Sequence, residues 1–472
     1  MELRRRPAGI RTGRGGIEEE EEEESGGRRR EGREEEPMSP AARLFHAPHF
    51  NCHIIAIIGS GKEIDVDAIK AGIRATLARH PRFCSIQVLD DETEGKKARW
   101  VRTEVEVEKH LVIPDLHPDD EGGDTTAAAD RLLEDYVASL CRSTMDASRP
   151  LWEFHILNFP TSEAAAVAVF RVHHSLGDGA SLMSLLLACF RRTSDPDALP
   201  SLPEPHRPPR SPSAVSPPPA LGHSALQGTE FHPKRFVHRT ICLHHVKAIK
   251  NAMHCTINDV LVGVASAGFS RYLSRRYGES GRRLPENIRM RSTLLVNMRP
   301  TPTIHAMAAA MEEGNTSGDR WGNLLGYLLL PFPVAMYKDP LEYVRKGKAI
   351  ADRKKNSMEA LFTHRSAAVV FKHCGFKAAA ALSKRVLSNT TLSFSNIIGP
   401  TEEIEFYGHP MVYLAPTVYG HPHALTLTLV SYMNTMKVVL AVDELAIPDP
   451  HQLLEDFADS LELIKEALPT RT

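Results

Sequence analysis

Apolar residues recur along this chain with two different periods, and the switching between them predicts a mixed α and β protein. After Asp65, a suitable helix N-cap, Val66, Ile69, Ile73 and Leu77 fall three or four apart until His80-Pro81, where proline restricts the residue before it and stops the helix. From Val101 to Val107 the residues Val101, Thr103, Val105 and Val107 alternate with Arg102, Glu104 and Glu106, the pattern of a strand with one wet face. Leu132, Leu133, Tyr136, Val137 and Leu140 restore the helical period before Arg149-Pro150. Ala164 to Phe170 reads as a buried strand, and Ala180 to Arg191 as a helix with Leu182, Leu185, Leu186 and Cys189 inward. Further on, Thr256-Ile257-Asn258-Asp259 opens a helix striped by Leu261, Val264, Ala265, Gly268 and Tyr272, with Gly278 at its end. Leu425, Leu427 and Leu429 alternate with threonines, Lys437 to Val442 gives another strand, and Leu454, Phe457, Leu461, Ile464 and Leu468 form a closing helix.

A chain of 472 residues is too long for one ordinary core, so two domains are expected. Residues 1–37 hold Arg, Gly and Glu with almost nothing apolar to bury, which predicts a disordered tail. Residues 200–232 are rich in Pro and Ser and suit an extended linker. The division is then a first domain over 38–199 and a second over 233–472, with no short-period repeat in either.

Composition narrows the function. Hydrophobic residues make up 42% and charged residues 25%, close to globular averages, and a net charge of -2 supplies no field to attract nucleic acid, which is not an expected partner. The seven cysteines are scattered and form no C-x-x-C pair, which argues against a disulfide framework or a zinc site and fits a reducing compartment. No stretch approaches the roughly 18 consecutive apolar residues that span a bilayer, and the Arg/Glu-rich start lacks the layout of a secretory signal.

The stretch with chemical content runs from the apolar strand into His173-His174-Ser175-Leu176-Gly177-Asp178-Gly179. Successive side chains of a strand face opposite sides, so His173 and His174 share one cavity only if the strand breaks between them; one is expected to be structural and the other active. A neutral imidazole, with an ordinary pKa of about 6.5, is a ready proton acceptor for an alcohol. Gly177 and Gly179 permit a tight turn around Asp178, which reads as a scaffold residue rather than a second base. A metal site is disfavoured by the opposed directions of the two histidines and the lack of further ligands. A Ser175 nucleophile lacks the G-x-S-x-G frame, and His244-His245 has no Asp-Gly turn after it.

These seven residues resemble the H-H-x-x-x-D-G signature of the CoA-dependent acyltransferase superfamily. Further segments single out the plant wax ester synthase/diacylglycerol acyltransferase family: Pro150-Leu151-Trp152-Glu153-Phe154-His155, Asn258-Asp259-Val260-Leu261, Val296-Asn297-Met298-Arg299, Ser395-Asn396-Ile397-Ile398-Gly399-Pro400 and Tyr419-Gly420-His421. The resemblance covers Met38 to Leu468. It implies an α/β fold of two chloramphenicol-acetyltransferase-like domains that form a pseudo-dimer around a central tunnel. His174 would be the base, grouped with His173 and Asp178, supported by Gly179 and by Arg299 paired with Asp178. Asn396 would donate to the tetrahedral oxyanion or touch substrate, or equally serve as a turn residue before Gly399-Pro400. Trp152 is expected in the core beside the catalytic strand. The implied substrates are acyl-CoA, as co-substrate with no cofactor or metal, and a fatty alcohol or diacylglycerol. The implied location is the cytosolic face of the endoplasmic reticulum, or the plasma membrane. One departure is the Pro-rich linker, where family members carry a long hydrophobic stretch; peripheral rather than integral attachment follows. The competing readings are an acyltransferase for another small alcohol, whose usual D-F-G-W-G motif is absent, and an inactive lipid-binding homologue.

Overall fold

The computed structural model describes residues 35–90, 97–118, 125–203, 228–285, 288–297, 304–313, 321–323, 325–355 and 357–469. Two large mixed sheets dominate it. The first has seven strands in the order Leu111–Val112, Trp152–Leu157, Ala166–His173, His53–Ser60, His409–Tyr419, Ile404–Phe406 and Arg191–Arg192. The second has six, in the order Leu325–Pro333, Arg289–Asn297, Leu392–Ile398, Leu425–Tyr432, Thr435–Val442 and Arg235–Cys242.

Local rules account for most elements. Asp65 caps helix Val66–Ala75 through its Oδ1, which accepts from the backbone N–H groups of Asp67 and Ala68 at 2.9 and 3.1 Å. This helix ends at Ala75, and a separate 3-10 turn, Leu77–Arg79, carries the chain to His80-Pro81. Thr256 and Asp259 close a reciprocal capping box at the start of helix Ile257–Glu279, with bonds of 3.3 and 2.8 Å. The strand expected over Val101 to Val107 stops at Arg102, because the Thr103 N–H turns to the Cys84 carbonyl at 2.9 Å and Val107 begins a 3-10 turn. Trp152 lies in the core as expected, 1% exposed, with its indole N–H donating to the Phe83 carbonyl at 2.9 Å.

Two boundaries differ from the sequence reading. Glu35–Pro37, read as part of the tail, is a strand paired with Arg99–Val101; residues 1–34 and the linker core, 204–227, lie outside the described residues. The larger difference is that Ile404–Phe406 and His409–Tyr419, assigned by position to the second domain, belong to the first sheet. Strand His53–Ser60 is buried along its whole length, so its outer edge needs a partner. His409–Tyr419 supplies it, antiparallel, with Leu414 opposite Ile58 and Val418 opposite Ile54. A shared interior then joins the halves: Ile55, Ile57, Val167 and Val169 of the first sheet pack in one apolar cluster with Phe236, Val439 and Ala441 of the second.

Among the described residues no helix is long and apolar enough to cross a membrane. All seven cysteines are free thiols.

Candidate active site

Strand Ala166–His173 runs between Trp152–Leu157 and His53–Ser60, and its last residue, His173, sits opposite His53. The strand breaks there: His174, Ser175 and Leu176 form a 3-10 turn, and the two rings stack on different neighbours, His173 on His46 and His174 on Phe45. Backbone bonds fix the turn, since the His174 N–H donates to the Cys52 carbonyl at 2.9 Å. Asp178 then caps helix Gly179–Cys189 by accepting from the Ser181 N–H at 2.9 Å.

The rest of the grip comes from far along the chain. The Trp321 indole N–H donates to the Leu176 carbonyl at 2.7 Å, and its ring lies 4.2 Å from that of His80. The Gly322 carbonyl accepts from the Asp178 N–H at 3.4 Å and from the Ser181 hydroxyl at 3.3 Å. Asn323 Nδ2 donates to the carbonyls of His174 and Ser175 at 2.9 and 3.3 Å. Sequence reasoning passed over Trp321, Gly322 and Asn323; they lie in none of the segments that carried the resemblance, and only the fold brings them to the turn.

His174 is 4% exposed, with its ring stacked on Phe45 at 4.1 Å between centroids. Its Nδ1 is buried without a hydrogen-bond partner. Burial holds the imidazole below its ordinary pKa, partly opposed by its own carbonyl, by the Asp178 charge and by the Asn323 amide. The group is therefore neutral at cellular pH and able to accept a proton.

His173 was grouped with the catalytic residues, and the structure gives it a structural place instead. Nε2 lies 2.9 Å from Asn51 Oδ1 and Nδ1 lies 2.6 Å from Ser175 Oγ, which in turn donates to Gln87 Oε1 at 2.8 Å. Both ring nitrogens are occupied, and burial drives its pKa well down. Gly179, expected to support a tight turn, is the exposed first residue of the helix; a Cβ there would meet nothing within 4 Å. The support it was assigned comes from the Trp321-to-Asn323 contacts. Asn396 Nδ2 donates to Asn258 Oδ1 at 2.6 Å, tying strand Leu392–Ile398 to the start of helix Ile257–Glu279. Arg299, the expected partner of Asp178, lies outside the described residues.

Two further residues hold the strand that carries the histidines. Arg171 is 1% exposed and binds Glu153 Oε2 at 3.2 Å, the Tyr419 hydroxyl at 3.0 Å and the Ser143 hydroxyl at 2.8 Å. Gly420 turns the chain at φ +90°, and a Cβ at that position would stand 2.0 Å from the Asn51 carbonyl oxygen. Gly420→Ala combines a disfavoured φ with a backbone clash, so it is expected to lower unfolding free energy by at least about 2 kcal/mol. Because Asn51 and Cys52 bond His173 and His174, activity at permissive temperature should fall with it; urea melts and initial rates on the same preparations check both.

The histidine turn is thus held from both halves of a paired α/β fold. Solved structures share the fold: the wax ester synthase/diacylglycerol acyltransferase from Marinobacter aquaeolei VT8 superposes with a TM-score of 0.58 at 17% identity, over 92% of this chain and 100% of that one. The condensation domain from Monacolin K polyketide synthase MokA superposes at 0.53 with 14% identity, over 92% and 98%. The wax ester synthase/diacylglycerol acyltransferase catalytic domain matches residues 45–229, and the WS/DGAT C-terminal domain matches 321–465. Wax ester synthase/diacylglycerol acyltransferases 11 and 5 of Arabidopsis thaliana are each 45% identical over 93% of this chain, covering 96% and 95% of their own lengths. The chain belongs to the wax ester synthase/diacylglycerol acyltransferase family.

Proposed function

We propose that this chain transfers a long-chain acyl group from acyl-CoA to the hydroxyl of a fatty alcohol, a diacylglycerol or both, with His174 as the general base. The observation that carries the reading is a neutral, buried imidazole at the head of the motif turn, in a chain of this family. Nε2 takes the hydroxyl proton, the alkoxide attacks the thioester carbonyl, and the tetrahedral intermediate expels the CoA thiolate. The proton on Nε2 then passes to that thiolate. Ester and free CoA are the products, and the balance requires no redox group, so no cofactor beyond acyl-CoA is proposed. Asp178 acts here as the cap that holds the turn's shape.

Incubation of the purified full chain with labelled palmitoyl-CoA and either hexadecanol or dioleoylglycerol tests this. Ester should form with one CoA thiol released per ester, and EDTA should leave the rate unchanged. Absence of ester with both acceptors across several detergents contradicts the assignment.

Substrates of this kind partition into membranes, and we place the protein peripherally on the cytosolic face of the endoplasmic reticulum. The segment Glu359–Leu387, two helical stretches joined by a kink at Gly375, supports peripheral docking: before the kink Phe362 and Val369 are 64% and 57% exposed, with exposed Arg365 and Lys372 near them in the same stretch. Apolar side chains flanked by cations suit an anionic lipid interface. Flotation with phosphatidylserine-containing vesicles should carry the protein upward, and fractionation of cells expressing a tagged chain should find it with endoplasmic reticulum markers.

A further inference from the structure

Beside the base lies an amide whose position suggests more than a structural tie. Asn323 donates through Nδ2 to the carbonyl of His174 at 2.9 Å and to that of Ser175 at 3.3 Å. Its Oδ1 is buried with no hydrogen-bond partner, and so is Nδ1 of His174. Buried polar atoms are ordinarily paired, and each orphan is costly. Here one is an acceptor and the other is a ring nitrogen that becomes a donor once protonated. They belong to two residues already joined through the His174 carbonyl.

We propose that Asn323 is a positioning residue for His174: its Oδ1 takes the hydrogen bond from the Nδ1 proton, selecting the tautomer whose Nε2 lone pair accepts the hydroxyl proton. This rests on the reading of His174 as the base. In the resting enzyme the imidazole is neutral, with its proton on Nδ1. When the acceptor alcohol transfers its proton to Nε2, the ring becomes a cation with both nitrogens protonated. Oδ1 then accepts a charge-assisted bond from Nδ1–H, which is stronger than the neutral one. As the proton moves on from Nε2 to the CoA thiolate, the starting tautomer returns, and Asn323 neither gains nor loses a proton. An amide in this place does the orienting that a carboxylate does in hydrolytic triads, without adding a negative charge to a buried site.

Two further observations agree. Against the effect of burial, the proton affinity of the ring is raised by the histidine's own carbonyl first, then by the Asp178 charge, and then by the Asn323 amide. Trp321, two residues earlier, fixes the same segment by its bond to the Leu176 carbonyl, so the amide is held by a neighbour on the same loop.

The test compares rate against pH for the wild-type chain, Asn323→Ala and Asn323→Asp, with His174→Ala alongside. Asn323→Ala should lower kcat by about 10- to 100-fold, leave KM for acyl-CoA and alcohol unchanged, and move the acid limb of the kcat profile to lower pH. Asn323→Asp should retain more activity than alanine and move the limb to higher pH, because a carboxylate favours the imidazolium. Variants that lose rate while the limb stays at its wild-type position would reduce Asn323 to a structural tie and overturn the proposal. Should neither variant fold, the 15N shifts of histidine-labelled wild-type protein decide: a His174 ring protonated on Nδ1 at pH 8 supports the proposal, and one protonated on Nε2 overturns it. Full activity in His174→Ala would instead sink the base assignment, whichever tautomer the shifts report.

Discussion

Replacing His174 by alanine is expected to lower kcat for ester formation by about 10²- to 10⁴-fold, the contribution of a positioned acid–base group. The fold should survive, because the turn is fixed by backbone bonds that alanine keeps, His174 N–H to the Cys52 carbonyl and Asn323 to the His174 carbonyl, and the ring itself adds a stacking contact with Phe45. Acyl-CoA binding should persist for the same reason. His173→Ala provides the contrast: it removes the bonds to Asn51 and Ser175, so thermal stability and rate should fall together. Parallel melts and initial rates separate the two cases. A His174→Ala protein within threefold of the wild-type kcat would remove the histidine from the chemistry.

The second large effect is on stability. Burial brings the pKa values of His53, His80 and His423 down to about 3 and that of His238 to about 4. In the unfolded chain each returns to about 6.5, so between these values the unfolded state binds more protons than the folded state. The stabilisation is therefore complete above pH 6.5 and is lost as pH falls toward the folded values. Between pH 7 and pH 5.5 each of these groups forfeits slightly more than about 1 kcal/mol, and the four together about 4–5 kcal/mol. Urea unfolding at the two pH values should show a much lower midpoint at pH 5.5; an equal or higher one contradicts the buried-neutral assignment.

How far these features were legible in the sequence depends on the range of the interaction that makes them. Asp65 capping helix Val66–Ala75 and the Thr256/Asp259 box are three-residue events, and they read directly from the chain. The break between His173 and His174 entered the sequence reading only as the condition for both rings to share one cavity; the strand does end at His173. Alternation over Val101 to Val107 misled because extended backbone has the same period whether or not it pairs, and pairing ends where Thr103 bonds Cys84. Strand His53–Ser60 carries no alternation, being buried on both faces. The crossing of His409–Tyr419 into the first sheet satisfies an edge more than 300 residues away, and no local pattern announces it. The same holds at the site: the motif pointed to His174 and Asp178, whereas the Trp321-to-Asn323 grip arrives from nearly 150 residues downstream. Phe45, which flanks the reactive ring, sits just past a short helix, Pro40–Leu44, with no chemical signature of its own.

The base assignment is tested most directly by kcat/KM for acyl transfer measured from pH 8 to pH 5 in brief assays. Burial holds the His174 pKa below its ordinary value, so the acid-side decline of the rate should be centred below pH 6.5, with the slope of a single proton. A decline centred at or above pH 6.5, or the same limb persisting in the residual activity of His174→Ala, would contradict a buried imidazole as the proton acceptor.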